Sequence, residues 1–209
     1  MLAALTPQQF QARAGVSRET LERLRAYVDL LALWNRRINL VGPRTLADVW
    51  RRHILDSAQL GRLLPIDAQK VVDLGSGAGL PGLVLAIIGV VEPHLVEADA
   101  RKIAFLREAA RITGTTIRLH AARSEAVTGL RADVVTARAF APLPKLLDHA
   151  EHFIDSRSIL LLLKGKGVRE ELTEAGKGWK MSATLHPSVS DPSGIVLQLQ
   201  QVERAGRDS

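Results

Sequence analysis

The chain has 209 residues, no cysteine, 46% apolar residues and a formal charge of +6, with a pI near 10.2. These values exclude disulfides, thiolate metal centres, iron–sulfur clusters and cysteine nucleophiles, while leaving enough apolar side chain for a sizeable core. The basic balance, with Arg supplying 21 of 28 cationic side chains, points to a polyanionic partner or to an arginine-rich proteome; composition does not separate the two. The longest apolar run, Leu83–Val91 interrupted by Gly89, is too short to cross a bilayer. The segment MLAALTPQQF has no basic stretch ahead of an apolar one, so a cytoplasmic chain with no membrane or metal partner is expected.

Thr6-Pro7 and Gly15 frame a first short helix, with a cap, a proline in the first turn and a glycine stop. After Ser17, the residues Leu21, Leu24, Val28, Leu31, Trp34 and Ile38 recur at spacings of 3, 4, 3, 3 and 4. That stripe predicts a longer amphipathic helix, ended by Asn39-Leu40-Val41-Gly42-Pro43. Thr45 and Asp48 read as a capping box opening a third helix, through Val49, Trp50 and Ile54 and on to about Leu64. Residues 1–65 are thus expected to form a helical extension. Eleven Lys or Arg up to Lys70 stand against six acids, densest at Arg36, Arg37, Arg44, Arg51 and Arg52; they form either a solvated face or a polyanion surface. His53 and Asp56, one turn apart, are expected to pair with each other as a structural hydrogen bond.

Beyond Pro65 the pattern alternates. Strands are expected at Lys70–Asp73, His94–Glu97, Thr116–His120, Asp133–Ala137 and Ser158–Lys164, and helices at Ala100–Thr113, Pro142–Phe153 and Val168–Ala175. Two last strands, around Trp179–Leu185 and Ile195–Val202, suggest a closing antiparallel hairpin. Repeating β–α units imply an α/β fold over residues 66–209, a mostly parallel twisted sheet that binds ligands at its strand C-termini.

The stretch VVDLGSGAGLPG, Val71–Gly82, is strand, glycine loop and helix start in succession. Such a loop lets a nucleotide-like ligand approach bare backbone near a helix N-terminus. The dinucleotide fingerprint needs a sixth-position glycine, where this chain has Leu80. Glycines at 75, 77 and 79 after a strand ending in Asp instead match the loop of class I S-adenosylmethionine-dependent methyltransferases. Glu97, 22 residues beyond Gly75, is placed to accept from a ribose diol in either family. Ala122-Arg123-Ser124-Glu125 follows the third strand, where an adenine ring would lie, and Ala137-Arg138-Ala139-Phe140-Ala141 follows the fourth, where the methyl acceptor would lie. The second loop is no Asn-Pro-Pro-Tyr type, which disfavours an adenine amino group, and the missing cysteine removes covalent attack on a pyrimidine. Guanine N7, whose lone pair is free on the groove edge, fits what remains.

Asn39-Leu40, Arg52-His53-Ile54-Leu55-Asp56-Ser57, GSGAGLPG, Arg101-Lys102, Phe105-Leu106-Arg107, Arg123 with Glu125, Arg138-Ala139-Phe140-Ala141 and Leu163-Lys164-Gly165 occur in order. Together they resemble the bacterial small-subunit ribosomal RNA guanine-N7 methyltransferase family (RsmG, also called GidB), over about residues 20 to 200. The resemblance implies a Rossmann-like class I methyltransferase with S-adenosylmethionine as cofactor and ribosomal RNA or the small subunit as partner; a monomer is expected. It implies that Gly75, Leu80, Ser124, Glu125 and Arg138 contact the cofactor and that Glu97 takes its ribose. Ser76, Gly77, Gly79 and Ala98 complete the expected cofactor set, and Arg138, Arg123 and Lys164 the expected catalytic set. Arg138 is assigned either to the methionine carboxylate or to guanine O6, Lys164 either to RNA phosphate or to a strand-end role, and Arg123 either to RNA or to bracing its loop. The competing readings are a class I methyltransferase with another RNA or a small-molecule acceptor, a nicotinamide oxidoreductase, and a non-catalytic RNA-binding module.

Overall fold

The computed structural model describes residues 4–206, so residues 1–3 of the expected extension and 207–209 at the other end lie outside it. Seven strands form one sheet: β1 Val71–Leu74, β2 His94–Glu97, β3 Arg118–Ala121, β4 Val134–Arg138, β5 Ile159–Lys164, β6 Trp179–Pro187 and β7 Ile195–Arg204. Their order is β3-β2-β1-β4-β5-β7-β6, with β1 to β5 parallel and β7 antiparallel to both β5 and β6. The central strands β1, β4 and β5 are apolar runs because helices cover both faces, whereas edge strand β3 (RLHA) keeps polar residues facing water. The expected parallel sheet and closing hairpin are therefore present. Strand order reverses between β1 and β4, where the loops after neighbouring strands diverge and leave a crevice.

Helices α1 Pro7–Ala14 and α2 Arg18–Asn35 begin at Thr6 and Ser17 as the capping pattern predicts. The second ends earlier than its apolar stripe. Asn35 Oδ1 accepts the N–H groups of Leu40 and Val41, folding the chain back at 2.9 Å from each. The continuous third helix is not formed. Pro43–Asp48 is a 3₁₀ turn, Trp50–Leu55 a π-helical turn, α3 (Asp56–Ala58) a single α turn and Gln59–Arg62 again 3₁₀. The expected capping box fails because both its side chains are used elsewhere. Thr45 Oγ1 donates to Gly42 O at 2.7 Å, and Asp48 accepts from Leu5 N and from Arg51 Nε.

The remaining helices are α4 Gly82–Ile87, α5 Ala100–Thr113, α6 Leu143–Ala150 and α7 Val168–Ala175. The N-terminal helices share one buried cluster with α4 and α5, knitted by Tyr27 and Trp34 against Phe105 and by Phe10 against Trp50. Arg23, one of the extension's cations, is structural: it donates to Thr113 O and Thr115 Oγ1 at the end of α5. Among the described residues no helix is long and apolar enough to cross a membrane.

Candidate active site

The glycine loop is shaped from three directions. Ser76 is buried, its N–H bonded to Val96 O and its Oγ to Asp73 O, while its own carbonyl accepts from Gly79 and Leu80. A Cβ on Gly75 (φ +63°) would lie 2.2 Å from the Phe140 ring, and one on Gly79 (φ +82°) would lie 2.6 Å from Leu83 Cβ. Gly75 therefore admits the segment after β4, and Gly79 admits α4. Asp73, wholly buried, accepts from Thr136 Oγ1 at 2.8 Å and from Gly82 N at 3.3 Å, joining β1, β4 and the start of α4. Burial pushes its carboxyl up to about 6.

Tyr27 of α2 completes the loop, its hydroxyl donating to Ala78 O at 2.7 Å from a fully buried ring. Burial pushes the phenol above its usual range, so it is a donor at any working pH. Sequence reasoning missed it, although Tyr27 stands three residues after Leu24 and four before Leu31, on the buried face. Tyr27→Phe orphans a buried carbonyl and is expected to cost about 1–3 kcal/mol of stability in urea unfolding. A loss of less than about 0.5 kcal/mol would show that the loop does not depend on this bond.

Two clefts open at the C-terminal ends of the strands. The first, about 430 Å³, runs from Gly75 past Glu97, Ala98 and Asp99 to Ala122–Glu125, with Lys145 and His149 of α6 on its far wall. Glu97 is fixed by three backbone donors: Gly77 N to Oε2 at 2.9 Å, and Ala98 N and Asp99 N to Oε1 at 2.8 Å. Oε1 spends both its acceptor positions on these donors, and Oε2 keeps one, open to a single ribose hydroxyl. Ser124 Oγ and Glu125 Oε1 both meet His149 Nδ1 at 2.9 Å, and His152 Nε2 contacts Ser124 O. His149 and Lys145 are cleft residues that the sequence did not single out, while Phe140 belongs to the loop expected on the acceptor side. Conversely Ser76, Gly77, Gly79 and Leu80, expected to touch the cofactor, do not line this cleft. They lie in the loop that runs behind Gly75, and the Leu80 side chain is in the core. Arg123 stands exposed on the rim.

The second cleft, about 830 Å³, lies between the Leu40–Thr45 turn, the π-helical turn, the end of β4 and the loop joining β6 to β7. Arg138 is its centre. Its Nη1 donates to His53 Nδ1 at 2.8 Å and to Arg52 O at 3.2 Å, and stands 3.6 Å from Asp56 Oδ2. A guanidinium only donates, so His53 Nδ1 must accept and the ring proton sits on Nε2. From there it is donated to Thr45 Oγ1 at 2.6 Å, whose own proton goes to Gly42 O. Burial, then Arg138 and Arg52, lower the His53 imidazolium to about 3, in keeping with a neutral ring. Burial raises Asp56, with Ser190 and Arg138 opposing the shift. The pairing of His53 with Asp56 expected from their spacing is thus not formed. The widened π turn directs both at Arg138, which arrives from another strand.

Lys164, at the end of β5, is almost buried. Its Nζ bonds Glu171 Oε2 at 2.7 Å and Ala141 O at 3.1 Å, and the same Oε2 accepts Leu143 N. It braces the segment between β4 and α6 from within the cleft wall. That segment is shared: Phe140 and Ala141 line both clefts, so the two sites meet back to back across them. Ala139, just before, is a non-glycine residue at φ +51°, a strained turn held by its neighbours.

A cleft at the end of β2 thus meets a polar second cleft across one short wall. The family model described as rRNA small subunit methyltransferase G (GidB) matches residues 20–194. The chain belongs to that family. It is 57% identical to the Ribosomal RNA small subunit methyltransferase G of Rhodospirillum rubrum over 201 residues, covering 96% of this chain and all of that protein. It is 54% identical to the protein of that name from Paramagnetospirillum magneticum, covering 95% and 97%. Among solved structures, the ribosomal protein L11 methylase of Lactobacillus delbrueckii subsp. bulgaricus aligns at TM-score 0.55 and 16% identity over 69% of this chain and 76% of that one. A glycopeptide N-methyltransferase complexed with S-adenosylmethionine aligns at TM-score 0.59 and 10% identity, over 71% and 94%. Both likenesses place the sheet in the class I methyltransferase fold.

Proposed function

We propose that this chain transfers the methyl group of S-adenosylmethionine to N7 of a guanine in small-subunit ribosomal RNA. The observation that carries the reading is the shared wall at Phe140–Ala141, with the Glu97 cleft on one side and the Arg138–His53–Asp56 cleft on the other. The family is named for small-subunit rRNA methylation, and the residues of the first cleft fit the methyl donor. Glu97, clamped by Gly77, Ala98 and Asp99, would take a ribose hydroxyl on Oε2, and Gly75 offers backbone without a Cβ. Ala122–Glu125 with His149 would flank the adenine. When bound, S-adenosylmethionine supplies an electrophilic methyl group on a cationic sulfur.

What the chain itself contributes is placement. Guanine N7 carries a free lone pair and no proton, so the second cleft needs no general base. A neutral His53 and an engaged Lys164 are consistent with that. The main rate term is therefore a preorganised approach, worth roughly 7–11 kcal/mol at the ideal limit. Arg36, Arg37 and Arg44 are exposed around the turn that rims the second cleft and serve as phosphate contacts of the RNA, while Arg23, Arg51 and Arg52 are engaged within the fold. The absence of cysteine and a ribosomal substrate together support a cytoplasmic setting. The test is transfer of a labelled methyl group from S-adenosylmethionine to isolated small subunits or their RNA, mapped by N7-directed strand cleavage. Cofactor-bound protein that labels no guanine would defeat the reading.

A further inference from the structure

The second cleft sets a carboxylate beside a guanidinium without closing them into a hydrogen-bonded pair. Asp56 Oδ1 accepts from Ser190 Oγ at 2.5 Å and from Gln59 Nε2 at 3.1 Å. Gln59 is itself held, donating to Ser188 Oγ and accepting from Val189 N. The loop between β6 and β7 therefore fixes one oxygen of Asp56 and leaves Oδ2 with only Arg138 Nη1, at 3.6 Å, beyond hydrogen-bond length. Among the described residues, every hydrogen bond of the Arg138 guanidinium leaves from Nη1, so Nε and Nη2 are unspent. Both side chains line the cleft.

An acceptor next to a donor is the complement of one base edge. Guanine presents O6, N1–H and N2–H₂ in succession: acceptor, donor, donor. Adenine presents a donor and then a bare N1 lone pair, which would face the carboxylate. Uracil matches the first two positions but puts a carbonyl oxygen at the third. The common arginine contact to guanine, bidentate on O6 and N7, would cover the atom to be methylated. Contact on the other side of O6 leaves N7 open.

We propose that Asp56 and Arg138 read the Watson–Crick edge of the acceptor guanine, Asp56 Oδ2 accepting from N1–H and N2–H₂ while Arg138 donates to O6. The proposal rests on the guanine-N7 reading above and assigns its base selectivity to a residue of the π-turn region. Ser190 and Gln59 act as positioning residues, orienting the carboxylate without touching the base.

The experiment compares small subunits carrying guanine or inosine, which lacks only the N2 amino group, at the nucleotide mapped with wild-type protein. Wild type is expected to lose about 5- to 150-fold in kcat/KM on inosine, the range of one well-formed base contact. Asp56→Asn keeps an oxygen for Ser190 and Gln59 but replaces Oδ2 by a donor. It should lose at least that factor on guanine, show little further loss on inosine, and bind S-adenosylmethionine as tightly as wild type by calorimetry. Ser190→Ala, which leaves the carboxylate in place but unoriented, should show an intermediate inosine penalty and keeps the test open if Asp56→Asn does not fold. Equal inosine penalties in wild type and both variants, or no penalty in wild type, overturn the proposal. Absence of methylation by wild type on any guanine overturns the underlying function instead.

Discussion

Arg138→Lys is expected to lower kcat for methyl transfer by about 10²-fold or more while the melting temperature stays near that of wild type. Lysine keeps a positive charge beside Asp56 but cannot present the planar fork that meets His53 Nδ1 and Arg52 O from one nitrogen and leaves two others for a ligand. The lysine variant is the cleaner probe because Arg138→Ala changes two things at once. From sequence alone, alanine here removes a functional group. In the structure it also leaves Asp56, 18% exposed, without its cation, and breaking such a pair costs about 3 kcal/mol. Arg138→Ala should therefore lose turnover and unfold at lower urea. A lysine variant working at a near-normal rate would take Arg138 out of the site.

Glu97→Ala should raise the Kd for S-adenosylmethionine by about 10-fold or more, since a hydrogen bond to a charged acceptor contributes about 1.5–3 kcal/mol. The same change strips the acceptor from Gly77, Ala98 and Asp99. Asp99 caps α5 through the N–H groups of Arg101 and Lys102, so the loss reaches the first turn of that helix. Glu97→Gln, which keeps Oε1 for Ala98 and Asp99 but turns a donor toward Gly77, should fall between. Calorimetry on the three proteins decides the matter: a Kd within about threefold of wild type for Glu97→Ala would place the ribose elsewhere.

Features of the fold that depend on neighbours in sequence were legible. The helix Ala100–Thr113 spans the predicted residues, opened by an Asp99 cap, and HLVE is a strand at the predicted residues. The closing hairpin and the parallel sheet followed from apolar runs and their alternation with helices. The third helix was misread because Thr45 and Asp48 carry the right side chains for a box and spend them on Gly42 and Leu5. Asp48 reaches the N-terminus across 43 residues, a contact no local pattern announces.

The site divides the same way. Its glycine loop and the acid after β2 are a local signature, because Gly75, Gly77, Gly79 and Glu97 occupy positions where backbone curvature and strand order dictate residue type. The sequence by itself thus determined the fold class, the glycine loop and acid that shape the first cleft and, through its motifs, the family. Only the tertiary structure decided how the second cleft is made. Tyr27 meets Ala78 across 51 residues, Arg138 meets His53 across 85, and Ser190 meets Asp56 across 134. Those partners are chosen by packing of distant elements, so a histidine and an aspartate that look paired on one helix are turned instead, by a π-helical turn, onto an arginine from the centre of the sheet.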